Sequence, residues 1–186
     1  MIRHPMKIAK QSIGRIVVIG PESTGKSTLS ADLAQALGTV WRPETARAYL
    51  DVIDRPYEET DLLAIARVQQ EEERVLINHA ARWIILDTDC HVLRVWSESR
   101  YGRCHPEILT TVASARPSLY LLTDIDLPWE PDPQREHPDP ADRRRFWHQY
   151  RQAAIDSGVP WSPIAGDRQQ RLTTALAAIE TLSAND

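Results

Sequence analysis

Nine residues near the start of the chain, Gly20-Pro-Glu-Ser-Thr-Gly-Lys-Ser-Thr28, contain the pattern Gly-x-x-x-x-Gly-Lys-Ser. The apolar run 15–20 precedes them, and Leu29, Leu33 and Leu37 follow with helical spacing. A strand, a glycine loop and a helix in this order are typical of a phosphate-binding loop, whose amides and helix N-terminus hold phosphate oxygens. The chain is therefore expected to bind a nucleoside triphosphate.

Each residue type in this loop has an expected role. Lys26 is expected to reach the β- and γ-phosphates of ATP, and the Ser27 hydroxyl to ligate Mg²⁺. The remaining loop residues predicted to hold the nucleotide are Gly20, Glu22, Ser23, Thr24, Gly25 and Thr28.

Length and charge limit the class of protein. A chain of 186 residues can form one α/β domain with a sizeable core. A net charge of -4 and a pI near 5.9 disfavour nucleic acid as a partner, because sequence-independent binding needs a basic surface. No apolar run approaches the roughly 18 residues of a membrane span, so no membrane partner is expected. The sequence leaves a homo-oligomer open.

The number of cysteines and the composition of the first residues bear on where in the cell the protein is expected. With only Cys90 and Cys104, a disulfide framework is not expected, and a cytoplasmic location fits best. Residues 1–13 lack an apolar core long enough for export and are predicted to be a flexible arm. Residues 14–186 are predicted to form a single domain.

Apolar segments of strand and helix type alternate along the chain. This alternation predicts a three-layer α/β fold in which helices flank a roughly five-stranded parallel sheet. The predicted strands are 15–20, 39–44, 83–89, 118–123 and 160–165, the last near a sheet edge. The predicted helices are about 26–37, 46–53, 58–81, 91–100, 106–115 and 140–157, with a final helix capped by Asp167.

Carboxylates follow two of the predicted strands. Asp87 ends the strand 83–89, and Asp89 is expected to point to the same side because side chains repeat every second residue. Glu44 and Arg47 follow the second strand and are expected at the same rim, where parallel sheets bind ligands. Asp87 is the predicted metal ligand, and Glu44 or Asp89 is predicted to bind and deprotonate an acceptor hydroxyl. An alternative for Glu44 is that it caps the next helix and pairs with Arg47.

A segment rich in proline and arginine is predicted to be a lid over about 128–147. Residues 128–140 hold five prolines, Arg135 and no aliphatic residue, so they cannot form core. Guanidinium groups that close over a transferring phosphoryl group stabilise its charge, and Arg135 and one of Arg143, Arg144 and Arg145 are candidates. The alternative is a solvated basic face.

Aromatic residues suggest a flat ligand. Trp129 follows a strand end at the start of the lid and could stack on a heterocycle, although hinge packing is the alternative. Tyr49 and Trp41 are weaker candidates of the same kind. There is no Asn-Lys-x-Asp guanine motif and no second phosphate loop, so a small-molecule kinase is favoured over a GTPase switch. An ATP-binding regulatory module without acceptor phosphorylation is the alternative from another class.

Several motifs together resemble those of one family, the ribosylnicotinamide kinase domain of NadR-type proteins. They are the loop 20–28, Glu44-Thr-Ala-Arg47-Ala-Tyr49, Asp87-Thr-Asp89, Leu127-Pro-Trp129-x-x-Asp132-x-x-Arg135 and Gly166-Asp-Arg168-x-x-Arg171. The resemblance covers nearly the whole chain. Leu127 and the step Pro133-Gln134 depart from the family pattern, in which a small polar residue and a glycine-containing step stand there.

The resemblance implies ATP-dependent phosphorylation of the ribose 5′-hydroxyl of nicotinamide riboside, which gives nicotinamide mononucleotide in NAD salvage. The expected substrate-binding residues are Glu44, Arg47, Tyr49, Asp89 and Trp129, with Trp129 on the nicotinamide ring. Arg143 and Arg168 are expected near the nucleotide, Arg168 beside adenine. The chain lacks the DNA-binding and adenylyltransferase domains of multifunctional members, so neither repression nor NAD synthesis is expected of it. A kinase for another nucleoside or small alcohol is the nearest alternative.

Overall fold

Five parallel strands form one sheet in the described part of the chain, as the sequence predicts. From one edge of the sheet to the other they are Trp41–Arg42, Trp83–Asp87, Gly14–Ile19, Leu119–Thr123 and Trp161–Ile164. The computed structural model describes residues 13–53 and 55–184, so the predicted arm lies outside it apart from Ile13. The strands are β1 Gly14–Ile19, β2 Trp41–Arg42, β3 Trp83–Asp87, β4 Leu119–Thr123 and β5 Trp161–Ile164. The helices are α1 Lys26–Leu37, α2 Thr45–Val52, α3 Glu59–Leu76, α4 Cys90–Tyr101, α5 Pro106–Ser114, α6 Pro140–Asp156 and α7 Arg168–Ser183, and a 3₁₀ turn, Ile77–His79, extends α3.

The central strands are buried on both faces. In β1, Ile16 and Val18 pack into one core cluster, and Val17 and Ile19 pack into another, as a period of two requires. Helices α1 and α7 cover the first face, and α4 and α6 cover the second. Strands covered on both faces are continuous apolar runs, which is why β1, β3 and β4 were readable from the sequence.

Proline and capping residues explain most of the element boundaries. β2 stops at Arg42 because Pro43 has no N–H to donate to the ladder. β5 contains Pro163 and lies at the sheet edge, where a missing donor is tolerated. Gly38 ends α1 with a φ of 60°, and the Asp167 side chain caps α7, both as predicted.

The end of β3 differs from the prediction. The strand stops at Asp87 because Thr88 adopts a φ of 68° and turns the chain. Asp89 is then the N-cap residue of α4, and its side chain accepts a hydrogen bond from the His91 amide. The two-residue period holds only for an extended chain, so the expectation that Asp89 points to the same side as Asp87 is wrong.

None of the helices in the described ranges combines the length and apolar character that a bilayer crossing requires.

Candidate functional site

The loop between β1 and α1 has a backbone that only glycine adopts without strain at two points. Gly20 and Gly25 have φ values of 144° and 77°. A Cβ at Gly20 would lie 2.3 Å from Thr123 Oγ1, so β4 also excludes a side chain there. The buried Thr24 hydroxyl lies 2.7 Å from that of Thr123 and ties the loop to β4. The phosphate-binding conformation is therefore built into the protein.

Lys26 lies back over this loop, with its Nζ donating to the carbonyl of Pro21 at 2.9 Å. The loop borders a cavity of about 130 Å³. Its walls are Gly20, Glu22–Thr28, Glu44, Arg47, Leu50, Val92, Trp96, Gln134, Arg135 and Tyr150. Small-molecule sites usually measure about 300–1,000 Å³. A nucleoside triphosphate and an acceptor therefore require part of this wall to move outward.

Asp87 is buried beside the loop. Its two carboxylate oxygens have no hydrogen-bond partner among the described residues. Burial, and after it the nearby Glu44 carboxylate, raise the pKa of Asp87, Lys26 and Ser27 oppose the shift, and the net result is a pKa of about 6. An unpartnered carboxylate beside a serine hydroxyl and a lysine is the donor set that Mg²⁺ takes in phosphate-loop proteins. These residues fit the predicted metal.

The described side chains at this site do not by themselves form a complete set of metal ligands. Within the described ranges, no three His, Cys, Asp or Glu side chains come together as metal ligands. Mg²⁺ commonly binds through one or two carboxylates together with substrate phosphates, so Ser27 and Asp87 need no further protein ligand.

Asp89 is held away from this site. Its carboxylate accepts hydrogen bonds from the His91 amide at 2.9 Å and the Tyr120 hydroxyl at 2.8 Å. Burial opposes its ionisation, but hydrogen bonds from His91 and Tyr120 lower the pKa of Asp89 below its usual value. Neither Asp87 nor Asp89 lines the loop cavity, but Lys26, Ser27 and Glu44 are close enough to Asp87 to shift its pKa, whereas the partners of Asp89 are His91 and Tyr120. The prediction that Asp87 and Asp89 form a pair of carboxylates beside Lys26 is therefore wrong. The second carboxylate close to Asp87 is that of Glu44.

Glu44 lies at the start of α2 and faces the cavity. Its side chain makes no capping hydrogen bond, and it is 14% exposed. Arg47 Nε lies 4.0 Å from the Glu44 carboxylate, while Arg47 Nη1 donates to Asp132 at 2.8 Å. The alternative for Glu44 is therefore half right: its side chain does not cap α2, but it does pair with Arg47. Tyr49 instead donates to Asp61 at 3.0 Å and is not part of the cavity wall, contrary to the substrate contact predicted for it.

The predicted lid is docked on the phosphate loop. The Glu22 carboxylate accepts hydrogen bonds from the amides of Glu136 at 3.0 Å and His137 at 3.1 Å. Glu22 therefore holds lid backbone, in addition to any contact it makes with nucleotide. Because the acceptor is a charged carboxylate, these hydrogen bonds are stronger than bonds between neutral groups.

Ser23 and Arg135 form a second link between loop and lid. Ser23 Oγ accepts from the Glu130 amide at 2.9 Å and from Arg135 Nη1 at 3.3 Å. Arg135 lines the cavity, which agrees with its predicted place over the phosphates.

Two further arginines predicted near the nucleotide have other partners. Arg143 is buried and donates to the carbonyls of Ser23 at 3.3 Å and Leu127 at 3.2 Å, so it joins the lid hinge to the loop. Arg168 forms a bidentate pair with Asp32 on α1, both bonds at 2.7 Å. The adenine contact of Arg168 stays a prediction.

Trp129 is half-buried and does not line the loop cavity. Its indole Nε1 is buried without a hydrogen-bond partner in the described part of the chain. Its predicted stacking on a heterocycle requires the lid to rearrange.

Sequence reasoning gave no role to three residues at or beside the site: it did not single out Trp96 and Tyr150, and it named Arg171 only within the motif 166–171. Trp96 and Tyr150, on α4 and α6, line the cavity, but the sequence gives no signal beyond helical spacing. Arg171 is buried in α7 and donates to the carbonyls of Thr24 at 2.9 Å and Gly166 at 2.7 Å. A charged residue in the apolar stripe of α7 was the available signal for Arg171. It braces the phosphate loop from behind.

Comparisons with known proteins show the family and the relatives that this chain is similar to. The family described as AAA domain matches residues 15–171. The trifunctional NAD biosynthesis/regulator protein NadR of Escherichia coli (strain K12) is 26% identical over 148 residues, which cover 76% of this chain and 36% of that protein. NadR of Salmonella typhimurium (strain LT2) gives the same figures. The chain spans about a third of the length of these curated relatives.

Solved structures share the fold. A NadR protein in complex with NR has a TM-score of 0.75 at 21% identity over 93% of this chain and 51% of that chain. A NadR protein in complex with NAD and AMP-PNP has a TM-score of 0.74 at 22% identity over 93% of this chain and 50% of that chain. Thymidylate kinase from Ehrlichia chaffeensis has a TM-score of 0.55 at 15% identity over 94% of this chain and 100% of that chain. The architecture is that of phosphate-loop nucleoside kinases.

Proposed function

The chain belongs to the AAA domain family, and we propose that it is an ATP-dependent ribosylnicotinamide kinase. The reaction is transfer of the γ-phosphoryl group of ATP to the ribose 5′-hydroxyl of nicotinamide riboside, which yields nicotinamide mononucleotide and ADP. The observation that carries this proposal is the buried Asp87 carboxylate, which makes no hydrogen bond within the described ranges and lies close to Lys26, Ser27 and Glu44. Those three residues line the cavity that Arg135 of the lid also lines. The likeness to a NadR protein in complex with NR supports the choice of acceptor.

The nucleotide site is supplied by the loop and β3. In this proposal the loop amides and Lys26 bind the β- and γ-phosphates, and Ser27 and Asp87 hold Mg²⁺. When bound, Mg²⁺ neutralises charge that builds up on the phosphate oxygens. Arg135 adds a guanidinium group on the lid side.

Glu44 is assigned to the acceptor. Its carboxylate accepts a hydrogen bond from the ribose 5′-hydroxyl and takes the proton as the O5′–phosphorus bond forms and the bond to the leaving ADP breaks. Glu44 is preferred to Asp89 because Asp89 is already bonded to His91 and Tyr120. Trp96 and Tyr150 offer the aromatic surface for the acceptor ring from the opposite wall.

The test is a direct assay of nicotinamide riboside with ATP and Mg²⁺, in which nicotinamide mononucleotide is separated and quantified. Uridine and adenosine serve as competing acceptors. Turnover of nicotinamide riboside above both supports the proposal. Turnover of another nucleoside alone identifies a kinase for that nucleoside, and ATP binding without any acceptor phosphorylation identifies a regulatory module.

A Glu44 substitution tests the residue assignment. Glu44→Gln keeps the size of the side chain but removes the base, and we expect kcat to fall by about 10²–10⁴-fold with little change in the KM for ATP. Glu130→Gln, on the exposed lid, is the matched control. A normal kcat in Glu44→Gln would remove Glu44 from the chemistry.

A further inference from the structure

Arg42 is a buried cation that the proposed mechanism does not use. It ends β2 and is 2% exposed. Burial lowers the pKa of Arg42, and the carboxylates of Glu72, Glu73 and Asp89 oppose that shift. A guanidinium keeps its proton in proteins, so a compensated positive charge lies inside the fold. A buried charge is tolerated only where it is paired and hydrogen-bonded, and the hydrogen bonds of Arg42 therefore indicate what it holds.

The hydrogen bonds of Arg42 join the two segments that carry the acidic residues of the site. Its Nη1 donates to Thr45 Oγ1 at 3.0 Å, and its Nη2 donates to the carbonyl of Thr88. Thr45 directly follows Glu44 at the start of α2, and Thr88 directly follows Asp87 at the end of β3. One side chain is therefore bonded to the residue next to each of the two carboxylates.

The turn at Thr88 depends on contacts from outside it. A β-branched residue with a φ of 68° is strained, and such strain persists only where the surrounding structure fixes it. The Thr88 amide donates to the carbonyl of Val18 at 3.0 Å, and the Thr88 carbonyl accepts from Arg42. The first bond holds the turn to β1, and the second holds it to the end of β2. The direction in which the chain leaves Asp87 is therefore fixed from both neighbouring strands.

The Thr45 hydroxyl fixes the start of α2 in a similar way. It is buried, accepts from Arg42 and donates to Glu72 Oε2 on α3 at 2.6 Å. A hydroxyl has one proton to donate and two lone pairs, so both bonds form at once. Thr45 is the first residue of α2 and adjoins Glu44. Loss of this hydroxyl therefore frees the helix start that carries Glu44.

We propose that Arg42 is a positioning residue, which sets the placement of the Glu44 carboxylate relative to Asp87 through the Thr45 hydroxyl and the Thr88 carbonyl. The inference rests on the proposed function, in which Glu44 takes the acceptor proton and Asp87 holds Mg²⁺. Arg42 does not line the loop cavity, so its effect passes through these two neighbours. Placement matters because a shift of about 1 Å at a reacting group can cost about 10²-fold in rate.

A matched pair of substitutions at Thr45 tests this link. Thr45→Val removes the hydroxyl at nearly constant shape, whereas Thr45→Ser keeps it. With the acceptor that the wild type phosphorylates fastest, we expect kcat to fall about tenfold or more in Thr45→Val, with little change in the KM for ATP. Thr45→Ser should stay close to the wild type. Thr110→Val on the exposed face of α5 is the control for loss of a threonine hydroxyl.

Arg42→Lys tests the cation directly. It keeps the charge but removes the planar fork that reaches both acceptors, so we expect a loss of kcat similar to that of Thr45→Val. A normal kcat in folded Arg42→Lys would contradict the role of the fork. If Arg42→Lys does not fold, the two Thr45 variants decide alone.

A double-mutant comparison separates positioning from a general loss of structure. In the Glu44→Gln background, Thr45→Val should lower kcat by less than about twofold further, because Glu44 no longer takes the proton. Thermal melts establish that each variant is folded at the assay temperature. An unchanged kcat in folded Thr45→Val, or a loss that multiplies with that of Glu44→Gln, overturns this inference alone. A wild type that phosphorylates no acceptor overturns the proposed function, and this inference with it.

Discussion

At the residue scale, the site is governed by how each charged group is paired. Asp89 is satisfied by His91 and Tyr120, whereas Asp87 is buried without a partner. An ionised carboxylate in that position destabilises the fold, and structures keep such strain where a ligand relieves it. The two acids of Asp-Thr-Asp are alike in sequence, but their surroundings give them different chemistry.

Asp87→Asn is predicted to stabilise the fold in metal-free buffer while abolishing turnover. The pKa of Asp87 is about 6 in the folded state and 3.8 as a free side chain. Between these values only the folded state keeps the proton, so stability falls as pH rises from 3.8 through 6. The full cost, about 3 kcal/mol, is present above that window. Urea unfolding should therefore show Asp87→Asn more stable by about this amount at about pH 8.

The comparison at low pH provides the internal check. Near pH 4 the wild-type carboxyl is protonated in the folded state, so the two chains should differ little in free energy of unfolding. Asp156→Asn, on the exposed face of α6, is the control and should be neutral at both pH values. A destabilised Asp87→Asn at alkaline pH would contradict this account of Asp87.

Substitutions of Trp96 and Trp129 are predicted to have different effects, because Trp96 is assigned to binding of the nucleoside ring and Trp129 to packing of the lid hinge. Trp96→Leu should raise the KM for the nucleoside about tenfold, since aromatic stacking contributes about 0.5–1.5 kcal/mol beyond area burial. Trp129→Leu should chiefly lower the melting temperature, because Trp129 does not line the loop cavity. Steady-state kinetics with thermal melts of both variants decide between them, and a KM effect confined to Trp129→Leu would reverse the assignment.

At the element scale, the lid and the phosphate loop behave as one unit. Glu22 and Ser23, two loop residues without a side-chain role in the phosphate cradle itself, hold lid backbone at 136–137 and at 130. The lid is thereby linked to the same segment whose amides bind phosphate. Lid opening therefore has to break the hydrogen bonds that Glu22 and Ser23 accept from the lid.

Glu22→Ala is predicted to loosen the lid without unfolding the protein. The amides of Glu136 and His137 lose their carboxylate acceptor, and hydrogen bonds to charged groups contribute about 1.5–3 kcal/mol each. Their hydrogen exchange should therefore speed up about tenfold or more, measured by mass spectrometry or NMR. Glu130→Ala keeps its backbone bond to Ser23 and serves as the control. Equal exchange in Glu22→Ala and the wild type would refute the link.

At the scale of the whole molecule, the elements were more predictable than the direction of single side chains. β1, the loop and α1 were predicted to within one residue because motif, apolar run and Gly38 agree. The turn at Thr88 was not predicted, since a β-branched residue rarely adopts a positive φ. Trp96 was not singled out, and Arg171 was given no role, for a different reason: helical spacing shows that a residue faces inward, but not which cavity or loop it reaches.

Ligand binding is predicted to stabilise the whole fold through the phosphate loop. A non-hydrolysable ATP analogue at about 100 times its Kd should add about 2.7 kcal/mol to the free energy of unfolding. Lys26→Ala should lose most of this gain at the same analogue concentration, whereas Arg151→Ala should retain it. Denaturant titrations with and without analogue give both values, and full stabilisation of Lys26→Ala would exclude the loop as the binding site.

The hydrogen bond from Arg171 to the Thr24 carbonyl affects when the phosphate loop becomes functional during synthesis of the chain. The loop leaves the ribosome early, but Arg171, which holds the loop, lies on α7, more than a hundred residues later in the chain. A nascent chain without α7 therefore carries an unbraced loop, and we expect ATP to be captured only after the C-terminal helix has emerged and docked.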